Sequence, residues 1–273
     1  MNNKKDKEVP RFGITLSGGG ARGFAHIGVL GALEKYGIKP QVISGTSMGA
    51  IVGVFYAAGY PPKDLLKLLM EQKFHKLVKW HKPLSGLVDL DKIKKLLDNV
   101  IGRDDFSSLK KPFYCAVTNL NSGLMEIKSE GELFKWVVAS ASIPVVFEPQ
   151  VIDGQTYVDG GLLNNLPAES IRDECQFLIG VHVNHNGPEE DVKGVKTVAE
   201  RAFRLGIAQN VEKSKVLCDF FIEPPEARNY STFAFNKAEE IYEIGYRETE
   251  EKLRNLFNDI DLEKVMGLMT EKK

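Results

Sequence analysis

The chain has 273 residues, a formal net charge of -1, 43% hydrophobic and 27% charged residues. That is enough length for one large or two small domains with a substantial core, in an ordinary globular balance with no basic bias pointing to nucleic acid. Its three cysteines, Cys115, Cys175 and Cys218, are scattered without paired spacing, so a disulfide framework or zinc site is not expected and buried thiols in a reducing compartment fit better.

Residues 1–9 are charged, have no apolar run behind them and read as a loose arm rather than a signal peptide. Short β-rich runs then alternate with helical patterns: a strand at "FGITLS", a helix over 23–36, a strand at "QVISG" and a helix over 48–58. Helices are predicted over 63–72, 91–100, 132–140, 168–173, 196–216 and 237–257. Strands are predicted at 113–118, 124–128, 155–159, 177–183 and 219–223. This alternation predicts a three-layer α/β/α fold with a mostly parallel central sheet. Residues 10–225 form the expected catalytic domain, and 226–273 a helical extension packing on it, with Leu262, Val265, Met266 and Met269 at helical spacing. Both early helices are apolar nearly all round and therefore belong in the interior. The uncharged run from Pro40 to Pro62 is interrupted by Ser44, Gly45, Thr46, Ser47 and Gly49, so it reads as strand, turn and buried helix rather than a membrane span.

Gly18-Gly19-Gly20-Ala21-Arg22-Gly23 matches the dinucleotide pattern G-x-G-x-x-G between a strand and a helix. That pattern also requires an acidic residue about 20 positions on, to hold a ribose hydroxyl. No Asp or Glu occurs from Lys35 to Lys63. The next strand runs instead into Gly45-Thr46-Ser47-Met48-Gly49, a G-x-S-x-G between an apolar strand and an apolar helix. In that setting a serine is pushed onto a tight elbow at a helix N-terminus, where N–H groups and the helix dipole favour negative charge. Such an elbow suits nucleophilic attack on an ester, and the Gly18, Gly19 and Gly20 amides are placed to hold the oxyanion that forms.

A serine nucleophile needs a base. Asp153-Gly154 separates "VI" from "QTYV" and is a hairpin turn signal. Asp159-Gly160-Gly161 follows the second of those strands and leads into no returning strand, which suits a base at a strand's end with room for close approach. A Ser47–Asp159–His182 or Ser47–Asp159–His185 triad is the alternative. His182 lies within an apolar run, facing opposite to Ile179 and Val181, and His185 in a polar loop; His26 either faces the glycine loop or fills a core slot.

Taken together, "GGGARG" (18–23), "GTSMG" (45–49) and "DGG" (159–161), supported by "ASASIPVVFEP" (139–149) and "NNLP" (164–167), resemble the patatin-like phospholipase family over roughly Arg11 to Pro224. The resemblance implies a Ser47–Asp159 dyad, an oxyanion hole at Gly18, Gly19 and Gly20, and acyl-ester hydrolysis of phospholipids or lysophospholipids, with no cofactor and no metal in the chemical step. An esterase, thioesterase or acyltransferase on the same scaffold, and a non-catalytic acyl- or nucleotide-binding module, are the competing readings. Arg22 either orients the loop, meets a lipid phosphate or sits in a salt bridge. Residues 73–88 interleave Lys73, Lys76, Lys79 and Lys82 with Phe74, Leu77, Val78 and Trp80. They read either as a solvated helix with one packed face or as a transient membrane-surface contact of a cytoplasmic protein.

Overall fold

In the first strand–helix unit, β1 (Phe12–Leu16) passes through the glycine loop into α1 (Phe24–Lys35); in the second, β2 (Val42–Gly45) turns sharply into α2 (Met48–Ala57). Nine residues of α1 and all ten of α2 are buried, as their all-round apolar sequences require. The computed structural model describes residues 11–71, 90–144, 146–185, 187 and 192–259. The expected arm at 1–9, the basic and aromatic stretch at 73–88 and the helical spacing at 261–273 lie outside these residues.

The remaining elements are α3 (Pro62–Glu71), α4 (Asp91–Ile101), β3 (Phe113–Asn119), β4 (Leu124–Lys128), α5 (Phe134–Ser140), β5 (Gln150–Ile152), β6 (Gln155–Asp159), β7 (Phe177–Val181), α6 (Val195–Lys215), β8 (Phe220–Ile222) and α7 (Ala238–Asp259). One sheet has the order β5-β6-β3-β2-β1-β7-β8, with β4 also paired to β3. The ladder β3-β2-β1-β7-β8 is parallel throughout, and β4, β5 and β6 are antiparallel additions at one side. Alternation along the strands feeds two apolar layers. Ile14, Leu16, Ile43, Ile179 and Val181 join the large core with α1, α2 and α5. Val42 and Leu178 face the other side, towards Ala168 and Ile171, while Phe221 packs there against Ile207 and Val211 of α6. Helices thus cover both faces, which gives the expected three-layer α/β/α arrangement with a mostly parallel sheet.

Two local expectations change. Residues 168–173 form two short 3₁₀ turns, Ala168–Ser170 and Arg172–Glu174, rather than one helix. Six residues cannot repay helix nucleation, and the Ser170 hydroxyl instead donates to the Pro167 carbonyl at 2.6 Å. The strand expected over 177–183 stops at Val181, because the backbone beyond it serves the site: Val183 N–H donates to Ser17 Oγ at 3.1 Å. At the C-terminal end, α7 lies along α1, where Tyr36 stacks on Phe257 at 5.7 Å and Lys35 pairs with Glu250.

Candidate active site

The ends of β1 and β2 carry the two glycine-flanked loops to one edge of the sheet, since Leu16 pairs with Gly45 in the parallel ladder. At the second loop Ser47 has φ 55° and ψ −124°, one of two non-glycine residues among those described with positive φ. A left-handed serine costs on the order of 1–3 kcal/mol and persists only where the surroundings over-determine it. Here they do. Thr46 N–H donates to Leu16 O (3.1 Å), Thr46 Oγ1 to Asn164 O (3.0 Å), and Ser47 N–H to Ser140 Oγ (2.9 Å), whose hydroxyl in turn donates to Ala116 O (2.7 Å). Gly45 and Gly49 face each other across the turn, and Gly49 lies against the Leu16 and Ser17 carbonyls, so a Cβ at either would collide with backbone. The elbow is therefore a backbone-to-backbone crossing, with the Ser47 side chain standing at the start of α2.

Asp159 ends β6 opposite Val117 of β3. Its N–H donates to Ser142 O at 2.9 Å, and its Oδ1 accepts from Gly161 N–H at 2.7 Å. The Ser47 hydroxyl stands close enough to the same carboxylate to favour its ionised form. Both residues are buried. Burial pushes the Asp159 carboxyl up to about 7, against the opposing pull of the hydrogen bonds from Ser47 and Gly161. Desolvation is the largest of these effects. The structure thus brings Ser47 and Asp159, 112 positions apart in the chain, into one buried site.

The glycine loop beside them divides its donors. Gly18 N–H donates to Asn165 O at 3.2 Å, so that amide is committed within the protein. Gly19 and Gly20 N–H groups donate to no described residue. Of the three expected oxyanion donors, the geometry leaves Gly19 and Gly20 available and assigns Gly18 to holding the loop. Arg22 is buried, with Nε donating to Tyr230 O (2.8 Å) and Nη1 to Asn184 Oδ1 (3.1 Å). It orients the loop.

The described histidines are engaged elsewhere. His26 is fully buried with Nε2 2.7 Å from Ser17 O, and burial lowers its pKa to about 4. It is a neutral donor bracing the loop from α1. His182 Nδ1 lies 2.8 Å from Glu223 Oε1 and its ring faces Phe221; His185 lies 3.5 Å from the same carboxylate. None of the three bonds Ser47 or Asp159, and His75 and His81 lie outside the described residues. Among the described residues no three His, Cys, Asp or Glu side chains cluster as metal ligands, and no helix is long and apolar enough to cross a membrane.

Ser47 opens onto a pocket of about 470 Å³, counting its open mouth, walled by Gly20, Met48, Ile51, Leu90, Ile93, Ala141, Ile143, Phe147, Phe233 and Phe235. Among the described residues Ser47 is the one side chain with a hydroxyl on that wall. Phe233 and Phe235 lie past the expected domain boundary at 225, as do Tyr230 and Thr232, whose carbonyls hold Arg22 and the Ala21 N–H. Sequence reasoning missed this segment and the bracing roles of Ser140, Asn164, Asn165 and Asn184. The first three fall in the "ASAS" and "NNLP" stretches already singled out, whereas "NYSTFAFN" offers only its aromatic density as a signal.

A strained serine elbow on a mostly parallel α/β sheet, set beside a buried carboxylate and a glycine loop, is the frame of a serine hydrolase-type site. The patatin-like phospholipase family profile matches residues 14–171, more than half of the chain, and the chain belongs to that family. Among curated relatives, lysophospholipase NTE1 of Kluyveromyces lactis is 28% identical over 298 aligned residues, covering 94% of this chain and 20% of the relative. The lysophospholipase NTE1 of Saccharomyces cerevisiae is 28% identical over 291, covering 94% and 17%. The chain therefore spans about a fifth of the length of these relatives. Among solved structures, VipD from Legionella pneumophila superposes with a TM-score of 0.55 at 19% identity, over 90% of this chain and 67% of that one. At that identity the likeness is one of fold.

Proposed function

We propose that this chain is a serine acyl hydrolase of lipids, of the phospholipase A or lysophospholipase type, working through a Ser47–Asp159 dyad. The observation that carries the reading is the pairing of Ser47 with the buried Asp159 carboxylate at the wall of an otherwise apolar pocket. A carboxylate in water is a poor base for a hydroxyl. Desolvated and raised to about 7, Asp159 is ionised in about half of the molecules at neutral pH and is far more basic than an exposed aspartate.

Ser47 Oγ attacks the ester carbonyl as Asp159 accepts its proton. The tetrahedral oxyanion is held by the Gly19 and Gly20 N–H groups, each donor of this kind contributing about 3 kcal/mol. Collapse breaks the acyl–oxygen bond, and Asp159 returns the proton to the departing alcohol. Water then enters, gives its proton to Asp159 and attacks the acyl-enzyme; the proton passes back to Ser47 Oγ and the fatty acid leaves. The pocket wall holds an acyl chain and excludes water from the reacting carbon.

Wild type and Ser47→Ala assayed side by side on a panel of phospholipids, lysophospholipids and short soluble esters test this. Release of fatty acid by wild type, at least about 10³-fold reduced in Ser47→Ala, together with labelling of Ser47 by an alkyl fluorophosphonate, is the expected result. Wild-type silence on every ester, with no labelling, refutes the reading. Residues 73–88 lead directly into the pocket residues Leu90 and Ile93, and we assign them to transient contact with an anionic membrane surface. Replacing Lys73, Lys76 and Lys79 by Glu then weakens liposome binding and spares hydrolysis of a soluble ester; equal loss of both counts against that contact.

A further inference from the structure

The Gly18–Gly19 peptide has two ways to face, and side chains far away in the chain decide between them. Gly18 O accepts two hydrogen bonds, from Asn184 Nδ2 at 2.7 Å and from Ser17 Oγ at 3.0 Å. In a trans peptide the N–H points opposite to the C=O, and the described chain contains no cis peptide. Holding the Gly18 carbonyl on the Asn184 side therefore turns the Gly19 N–H the other way. Asn184 and Val183 stand where a Gly19 Cβ would, while the adjacent Gly20 lines the pocket together with Ser47. Glycine on both sides of a peptide places little steric barrier against its rotation, so the direction of this donor must be imposed from outside.

The imposing amide is itself oriented. Asn184 is buried, and its Oδ1 accepts from Arg22 Nη1 at 3.1 Å. A guanidinium donates only, so it fixes Oδ1 towards Arg22 and Nδ2 towards Gly18. Arg22 is in turn held by the Tyr230 carbonyl at 2.8 Å. The chain of contacts runs from Tyr230 through Arg22 and Asn184 to Gly18 O, and ends in the direction of one N–H.

We propose that Asn184 is a positioning residue for the oxyanion hole: it locks the Gly18–Gly19 peptide with the Gly19 N–H aimed at the reacting carbonyl. Asn184 touches neither substrate nor Ser47 and acts only through the loop. The proposal rests on the hydrolase reading, which wild-type turnover and its loss in Ser47→Ala test separately.

The decisive variant is Asn184→Asp. It keeps the shape and the bond to Arg22 but sets a carboxylate oxygen against the Gly18 carbonyl, which favours the flipped peptide. On a short soluble ester kcat falls about 100-fold, as for a lost oxyanion donor, with KM within about twofold. Affinity for an alkyl trifluoromethyl ketone, whose hemiketal with Ser47 carries the oxyanion, falls in step with kcat. Affinity for a non-hydrolysable ether lipid, which carries none, stays within about twofold. Asn184→Ala, which removes the lock without repulsion, gives a smaller loss with the same split and carries the test if the aspartate variant does not fold. The proposal is overturned if either folded variant keeps wild-type kcat. It is equally overturned if ketone and ether lipid lose affinity together, which is the pattern of a merely damaged pocket.

Discussion

At the tip of the β5–β6 hairpin Asp153 has φ 50° and Gly154 φ 73°, the paired positive angles of a type I′ turn, and a Cβ on Gly154 would meet nothing within 4 Å. Six residues later the same dipeptide recurs as Asp159-Gly160. Here the aspartate is buried, caps Gly161 N–H and sits beside Ser47, and a Cβ on Gly160 would collide with the Ala116 carbonyl. One pair turns a chain in open solvent. The other presses a carboxylate into the protein with the backbone of the neighbouring strand β3 packed behind it. The setting of an Asp-Gly thus depends on what stands around it: solvent leaves it as a turn, and burial beside a hydroxyl gives it the raised basicity that the proposed dyad requires.

The sharpest way to break this contrast is to neutralise both acids. Asp159→Asn is expected to reduce ester turnover by about 10³-fold, as loss of a general base does, whereas Asp153→Asn stays within about twofold, since Asn suits a type I′ turn as well as Asp. Steady-state kinetics on a soluble ester decide it, and comparable losses in the two variants would erase the distinction.

A second measurement sharpens it through pH. With the Asp159 carboxyl at about 7 rather than its ordinary 3.8, kcat/KM should rise from pH 5 to 8 along a limb with an apparent pKa near 7, the base being active only when ionised. Stability runs the other way. The folded protein keeps a proton that the unfolded chain releases between about pH 4 and 7, so stability declines as pH climbs through that window. Asp159→Asn removes the burden. Its gain over wild type in chemical denaturation should be about 1.5–2 kcal/mol at pH 5 and reach up to about 4 kcal/mol at pH 8. A constant difference at the two pH values would mean the carboxylate is not held in a desolvated state.

The glycines give the smallest effect. Gly160→Ala is expected to destabilise by about 2–3 kcal/mol through overpacking against Ala116. Gly154→Ala should cost about 1 kcal/mol from its positive φ alone. Urea denaturation curves rank the two, and the reverse order would contradict the packing described for β6.

Much of this arrangement was readable from the chain. Apolar helices around two glycine loops implied a buried centre, and "GTSMG" between strand and helix implied the elbow at Ser47. The hairpin at Asp153-Gly154 and the contrast with Asp159 followed from what flanks each pair. What was not readable depends on long-range packing. Gly18 N–H is taken by the Asn165 carbonyl, and no local pattern signals which of three adjacent glycines will meet an acceptor 147 positions away. Asn184 sits in "VHVNHNG", a stretch that ends β7 and looks like any polar loop. Residues 168–173 had helical composition but too little length to form a helix once Pro167 and Ser170 engaged each other.

Phe233 and Phe235 wall the pocket yet lie some sixty residues beyond the segment that matches the family, 14–171. On the proposed reading, part of the wall that would hold the acyl chain is thus encoded well outside the stretch that carries Ser47 and Asp159. Exchanging the aromatic segment around position 235 between related proteins is then expected to change which acyl chains the proposed hydrolase accepts, with the serine elbow left intact.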